Sequence, residues 1–293
     1  MSKIDIEFSN NKLIQFIENE QTSGSVVRLG MGPETFCTFK CIYSNVLDCK
    51  YLHPIYNSLY NAGIYTNEND VTLDKIKLFC KYYNDAILNT DILSCFDSKD
   101  MYSIQNFYCS KYSLSKIHSR SLEPFYAIQY NLKPWTHSLI NKKLLIIHPF
   151  VESFQKQRDN KFQMFKHTKL FLDKQHIIYY KSFQTIAGNH LHSDWKETFD
   201  IMCKDISNLD FDIALLGCGG YGLPLCNFIK KDLNKKSIYI GGGLQLLFGI
   251  MGKRWENNPM WKTIISENNT QFIKPSENEL CSNLHTIENG CYW

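Results

Sequence analysis

The 293-residue sequence contains no run of about 18 consecutive apolar residues, the length a membrane-crossing helix needs. Its opening stretch, MSKIDIEFSNNKLIQFI, carries acids where a signal peptide would be continuously apolar. Charge of one sign is also missing: 32 Lys and Arg face 29 Asp and Glu, and a formal charge of +3 leaves no basic footprint of the kind nucleic acid requires. No pair of CxxC units is present. The 11 cysteines are odd in number, and Cys80, Cys203, Cys218 and Cys226 sit inside apolar runs, which predicts reduced, buried thiols in a reducing compartment. Cys37 and Cys41 are the closest pair, but zinc would need two further ligands at a suitable spacing, and the sequence offers none. Internal repeats and low-complexity linkers are absent too. What remains is a globular chain, 44% hydrophobic, expected to be soluble and cytoplasmic, without a membrane span or a nucleic-acid partner.

Two textures divide the chain near residue 140. In residues 1–140, a short helix is expected over 11–20 and a strand, SVVRLG, over 25–30. A helix over 71–88 is capped by Thr72, with Ile76, Phe79, Cys80, Tyr83 and Ile87 at helical spacing. Residues 101–135 read as mixed helix and loop. In residues 141–293, KKLLIIHPF, HIIYYKSF, FDIALLGCG and KSIYIGGG read as buried strands alternating with helices, one of them capped by Ser193. Such alternation predicts an α/β, Rossmann-like parallel sheet with flanking helices and right-handed crossovers, the first half adding a helical insertion. The two parts are expected to form one compact unit, and ligand loops to follow Ile147, Phe183, Leu216 and Ile240.

LLGCGGYGLPL, residues 215–225, has the Gly217-x-Gly219-x-x-Gly222 spacing of a dinucleotide-binding turn. There Gly217 permits the tight turn, Gly219 and Gly220 let backbone approach an anion, and Gly222 lets the helix close on its strand; Tyr221 lies within the loop. A nicotinamide site would place an acid at the end of the next strand, yet that strand ends in Gly241, Gly242 and Gly243, and Pro224 occupies the first helical turn. The alternative is a glycine turn chosen for packing alone. GGGLQLLFGIMGKRW, residues 241–255, adds a second glycine loop with Gln245, and Lys253 and Arg254 offer positive charge to a diphosphate, or are a solvated pair beside Trp255.

VVRLGMGPE repeats the pattern: a strand, Arg28, Gly30, Gly32 and then Glu34, giving a cation for phosphate and an acid for a hydroxyl, a metal or a proton. An ordinary Arg28–Glu34 ion pair is the competing reading. His148, after LLII, suits a general base or a hydrogen-bonded loop histidine. Glu152, Gln155 and Arg158 share helical spacing, His190 and His192 lack metal partners, and Tyr292 and Trp293 suggest a docked tail.

RLGMGPE, IALLGCGGYGLPLCNFIKK and IYIGGGLQLLFGIMGKRW together resemble the GT-D fold glycosyltransferases, and more closely a related set of proteins from polysaccharide and glycan gene clusters. In that set KKLLIIHPF, the glycine loop, GGGLQLLFGIMGKRW and a terminal GCYW recur in this order. The resemblance covers roughly residues 24–40 and 140–293 and is most specific in the GGGLQLLFGIMGKRW block. It implies transfer of a sugar from a nucleotide-diphosphate sugar to a glycan or other hydroxyl acceptor. The family pattern follows its Arg-x-Gly turn with an Asp-x-Glu pair that holds the donor, often with Mn2+ or Mg2+. Here Met31 stands where the first acid is expected and Pro33 lengthens the turn, so Glu34 alone carries over as donor-orienting acid or base. The alternatives are an NAD(P)- or FAD-binding oxidoreductase and a non-catalytic nucleotide-sugar-binding protein.

Overall fold

The computed structural model describes residues 2–43, 52–66, 72–286 and 289–293. Cys49 and Val71, which belong to the cysteine count and the 71–88 helix reading above, lie outside the described residues. Along the chain, α1 (Lys3–Glu18) leads into β1 (Gly24–Arg28), and α2 (Pro33–Tyr43), α3 (Leu52–Asn61) and α4 (Leu73–Leu88) carry it to β2 (Ile92–Cys95). Next come α5 (Lys99–Lys111), β3 (Ser115–His118), a short α6 (Phe125–Gln129), β4 (Leu144–His148), α7 (Val151–Asp159) and β5 (Ile177–Lys181). The alternation ends with α8 (Trp195–Ser207), β6 (Ile213–Leu216), α9 (Gly222–Lys231) and β7 (Lys236–Tyr239), followed by α10 (Leu244–Leu247), α11 (Lys253–Glu256) and α12 (Pro259–Asn268).

The strands pair in the order β3-β2-β1-β7-β6-β4-β5, every pair parallel. The fold is thus α/β with a seven-stranded parallel sheet between helical layers, consistent with the Rossmann-like expectation. Both faces are covered, so β4, β6 and β7 are buried at every position; β6 and the first four residues of β4 read as continuous apolar runs, while β7 opens with buried Lys236 and Ser237. Alternate residues feed two cores. Val27, Leu93, Leu145 and Leu216 join α2 to α5, α8 and α9 on one side; Val26, Ile92, Ile146 and Leu215 join α1, α6, α7, α10 and α12 on the other.

Handedness explains which helix goes where. Each crossover that steps toward the β3 edge (β1 to β2, β2 to β3, β5 to β6, β6 to β7) runs through the first layer. Each step toward the β5 edge (β3 to β4, β4 to β5) runs through the second. One hand of crossover requires this split. It also places β1, from the first 140 residues, beside β7, the last strand, in register Gly24 with Lys236 and Val26 with Ile238.

Several local expectations shift. α1 starts eight residues earlier than the 11–20 reading, because Ser2 and Asp5 close a capping box that the acid-rich opening conceals. Thr72 does cap α4, accepting from Lys75 N–H at 3.3 Å. Asp194, not Ser193, caps α8; the Ser193 hydroxyl donates to Glu197 instead. β2 and β3 occupy segments that carry no strand signal of their own. Among the described residues, no helix is long and apolar enough to cross a membrane.

Candidate functional site

After β1 the chain leaves for the first layer, and after its neighbour β7 it leaves for the second. That divergence makes this point of the carboxyl edge the switch point of the sheet, the usual ligand position in open parallel folds. Arg28, the last residue of β1, sits there with its side chain 17% exposed. Its Nη1 lies 3.8 Å from Glu123 Oε1, and its guanidinium carbon lies 5.5 Å from the centre of the Phe96 ring. Arg120 reaches the other oxygen of Glu123 at 3.5 Å, so one carboxylate is shared by two arginines. Gly241 and Gly243 follow β7 against this group. A Cβ would fall 2.6 Å from Arg28 Nη2 at the first and 2.5 Å from Glu123 Oε1 at the second, and Gly241 has φ +72°. Their missing side chains therefore admit the ion pair.

The turn after β1 is held from below. Thr35 Oγ1 donates to Gly30 O at 2.7 Å, so its contact with Tyr83 at 2.9 Å must be one in which the Tyr83 hydroxyl donates. That hydroxyl in turn accepts from Gly30 N–H at 2.9 Å. Glu34, in the first turn of α2, folds back over the same loop: a Cβ on Gly30 would lie 1.7 Å from its Oε1, and one on Gly32 2.4 Å from its Oε2. Desolvation holds the Glu34 carboxyl above the ordinary carboxylate range, opposed by a hydrogen bond from its own backbone N–H. Some of its surface remains open to solvent, and among the described residues no cation pairs with this acid. Met31 points outward with 58% exposure.

The turn after β6 lies next to that of β7. Gly217 packs on His148 Cδ2, Gly241 O and Leu244; Gly220 packs on Ile64; Gly222 packs on the Tyr239 ring, whose hydroxyl donates to Gly219 O at 3.0 Å. Tyr221 is interior, its ring parallel to Trp195 at 5.6 Å and its hydroxyl 3.1 Å from Thr185 Oγ1. Gly219 differs. It has φ +58°, and a Cβ there would meet nothing within 4 Å. Among the described residues, no side chain accepts from the backbone N–H groups of 219–223, where α9 begins.

The C-terminal segment closes one side of this edge. Tyr292 packs on Gly242, and the Arg254 guanidinium lies 4.6 Å from the Tyr292 ring centre. Lys253 N–H donates to Trp293 O and Arg254 N–H to Cys291 O, while Lys253 Nζ donates to Asn289 O. Gln245, buried, donates to Tyr292 O at 3.0 Å. The expected donor ligands Gln245 and Lys253 thus hold the docked tail instead, because the chain itself supplies the carbonyls that face them.

His148 is buried among Phe150, Phe154 and Gly217. Phe150 N–H donates to its Nδ1 at 3.0 Å, which leaves the proton on Nε2. Burial pushes its pKa down to about 3. The ring is therefore neutral, and of the two sequence readings it matches the hydrogen-bonded loop histidine. Glu152 pairs with Lys181 at 2.5 Å, Arg158 donates to Gln175 O at 2.7 Å, and Gln155 is exposed. His190 stacks on Tyr65 while His192 bonds Thr198, so neither joins a metal set. Among the described residues, no three His, Cys, Asp or Glu side chains gather as a metal would require, and Glu34 alone does not fit a protein-only Mg2+ or Mn2+ site.

Five residues of this edge escape the sequence reading: Phe96, Glu123, Tyr83 as a support, and the Asp97–His118 pair at 2.8 Å. All but Tyr83 end or follow β2 or β3, the two strands without a pattern of their own. A small apolar hollow of about 40 Å3, bordered by Leu59, Ile64, Phe79 and Trp195, lies in the first layer and is far below nucleotide size. No protein-family model, curated protein or solved structure matches this chain.

Proposed function

We propose that this chain transfers a sugar from a nucleoside-diphosphate sugar to a hydroxyl of a glycan or another acceptor, as in polysaccharide biosynthesis. The observation that carries the reading is the adjacency of three turns, after β1, β7 and β6, with Arg28 between them and an α9 N-terminus that no side chain among the described residues caps. The diphosphate lies across Gly219 and Gly220, where N–H groups and the positive end of the α9 dipole meet it. Arg28, prepositioned by Glu123 and Phe96, stabilises charge on the departing nucleoside diphosphate, and Arg254 stands at the rim. Glu34 takes the proton of the acceptor hydroxyl: its raised pKa makes it a stronger base once ionised. His148 supports the Gly217 turn from beneath. No step is routed through a divalent ion, since the residues present do not build its site.

The test is a thermal-shift panel of nucleotide sugars, with and without manganese, followed by a transfer assay on any that bind. A ligand that binds the folded state alone must raise its melting temperature. A rise confined to one donor class, lost in Arg28→Ala, supports the reading; no rise with any donor at millimolar concentration rejects it. Met31 favours one second reading, a nucleotide-sugar-binding protein without transfer, because an exposed thioether replaces the first acid. Donor binding with neither hydrolysis nor transfer would select it. Bound NAD or flavin in the purified protein would instead return the oxidoreductase alternative, against which the acid-free end of β7 counts.

A further inference from the structure

A pair of thiols meets outside the proposed machinery. Cys95 ends β2, Cys109 lies near the end of α5, and their Sγ atoms are 3.9 Å apart. Both are partly accessible, unlike Cys37 and Cys80, whose sulfurs are 3.8 Å apart but sealed in the first core. α5 is already registered to the end of β2. Gln105, one turn before Cys109, accepts from Phe96 N–H at 2.7 Å and donates to Phe96 O at 3.0 Å. Parallel pairing sets Lys116 of β3 beside Leu93 and His118 beside Cys95, so Lys116 and Cys95 both face the α5 layer. An ammonium near a partly exposed thiol is the environment that favours thiolate. Hydrogen bonding from Cys95, aided by Lys116, lowers the Cys109 pKa to about 7.

We propose that Cys95 and Cys109 form a redox-modifiable dithiol whose oxidant is a low-molecular-weight disulfide of the glutathione class. The Cys109 thiolate attacks one sulfur of the small disulfide, forming a mixed disulfide and releasing one small thiolate. Cys95 then loses its proton to solvent, and its sulfur attacks the Cys109 sulfur and expels the second small thiolate. Two cysteine thiols are oxidised, one small disulfide is reduced to two thiols, and both protons end on them. Bond formation closes the sulfurs from 3.9 Å to about 2.05 Å. The new bond fastens the residue preceding Phe96, the aromatic neighbour of Arg28, to α5.

The experiment oxidises the folded protein in glutathione buffers of graded ratio and maps peptides without reduction. A loss of two hydrogens with a Cys95–Cys109 cross-linked peptide is expected, and Cys95→Ser should stop the reaction at a glutathione adduct on Cys109. In the reduced protein at pH 7, Cys109 should alkylate roughly 10-fold faster than Cys281, whose thiol burial pushes up to about 11, and Lys116→Gln should slow it several-fold. A map with no Cys95–Cys109 link, or Cys109 reacting no faster than Cys281, overturns the proposal. The alkylation comparison needs only the wild-type chain, so it decides the matter even if a variant fails to fold.

Discussion

Two helices begin at the same edge of one sheet, α7 after β4 and α9 after β6, and the chain treats their N-termini differently. At α7 the buried Glu279 carboxylate accepts from Glu152 N–H at 2.8 Å and from Ser153 N–H at 3.3 Å, with the Ser153 hydroxyl also bonded to it. The protein has supplied its own anion. At α9 no side chain of the described residues does so, and Gly219 opens outward. The same topology therefore yields one terminus met by an internal carboxylate and one whose first N–H groups no side chain of the described residues meets. Strand-end position alone does not tell the two apart; the tertiary partner does.

The comparison breaks most sharply at Glu279. Glu279→Ala leaves buried N–H groups at α7 without an acceptor and should cost about 3 kcal/mol in urea unfolding, with donor binding per folded molecule unchanged. A cost below the noise would mean that α7 is no more satisfied than α9. Next comes Arg28→Lys. A point charge cannot reproduce a guanidinium shared between Glu123, Phe96 and a phosphate, so nucleoside-diphosphate affinity should fall by about 2 kcal/mol, roughly 30-fold, in calorimetric titration. Gly219→Ala is smaller. Its φ of +58° makes any Cβ cost about 1 kcal/mol, and the added methyl stands in open approach to α9, so both melting temperature and affinity should drop modestly. The mildest effect is a pH trend. Glu34 has a raised pKa in the folded state, so its protonated form is the one folding favours. The associated stability is complete below the unfolded carboxyl value, about 4.3, and is lost as pH rises through the raised value. Glu34→Gln should therefore match wild type at pH 4 and exceed it modestly in melting temperature at pH 8.

Much of the fold was legible because β4 and β6 are covered on both faces, which writes apolar runs into the sequence. β2 and β3 are four residues each, and β3 is an edge strand carrying Lys116, so neither rises above its surroundings. Glu123 and Phe96 were lost with them, since strand-end reasoning cannot act on a strand it does not see. The glycines were legible as positions that need room. Who takes that room was not: Tyr239 at Gly222, Ile64 at Gly220 and Tyr292 at Gly242 are contacts made across the chain. Likewise, nothing in the sequence says that Phe150 N–H fixes the His148 tautomer, because that depends on the backbone path through Pro149.

The claim that the β1–β7–β6 edge is an anion-binding crevice is tested most directly by amide chemical-shift mapping with a nucleoside diphosphate. The largest shifts should fall on Gly219, Gly220, Leu223, Arg28, Gly30 and Gly241, with α7 unmoved. Shifts centred on Glu152 and Ser153, or none at saturating ligand, would contradict it.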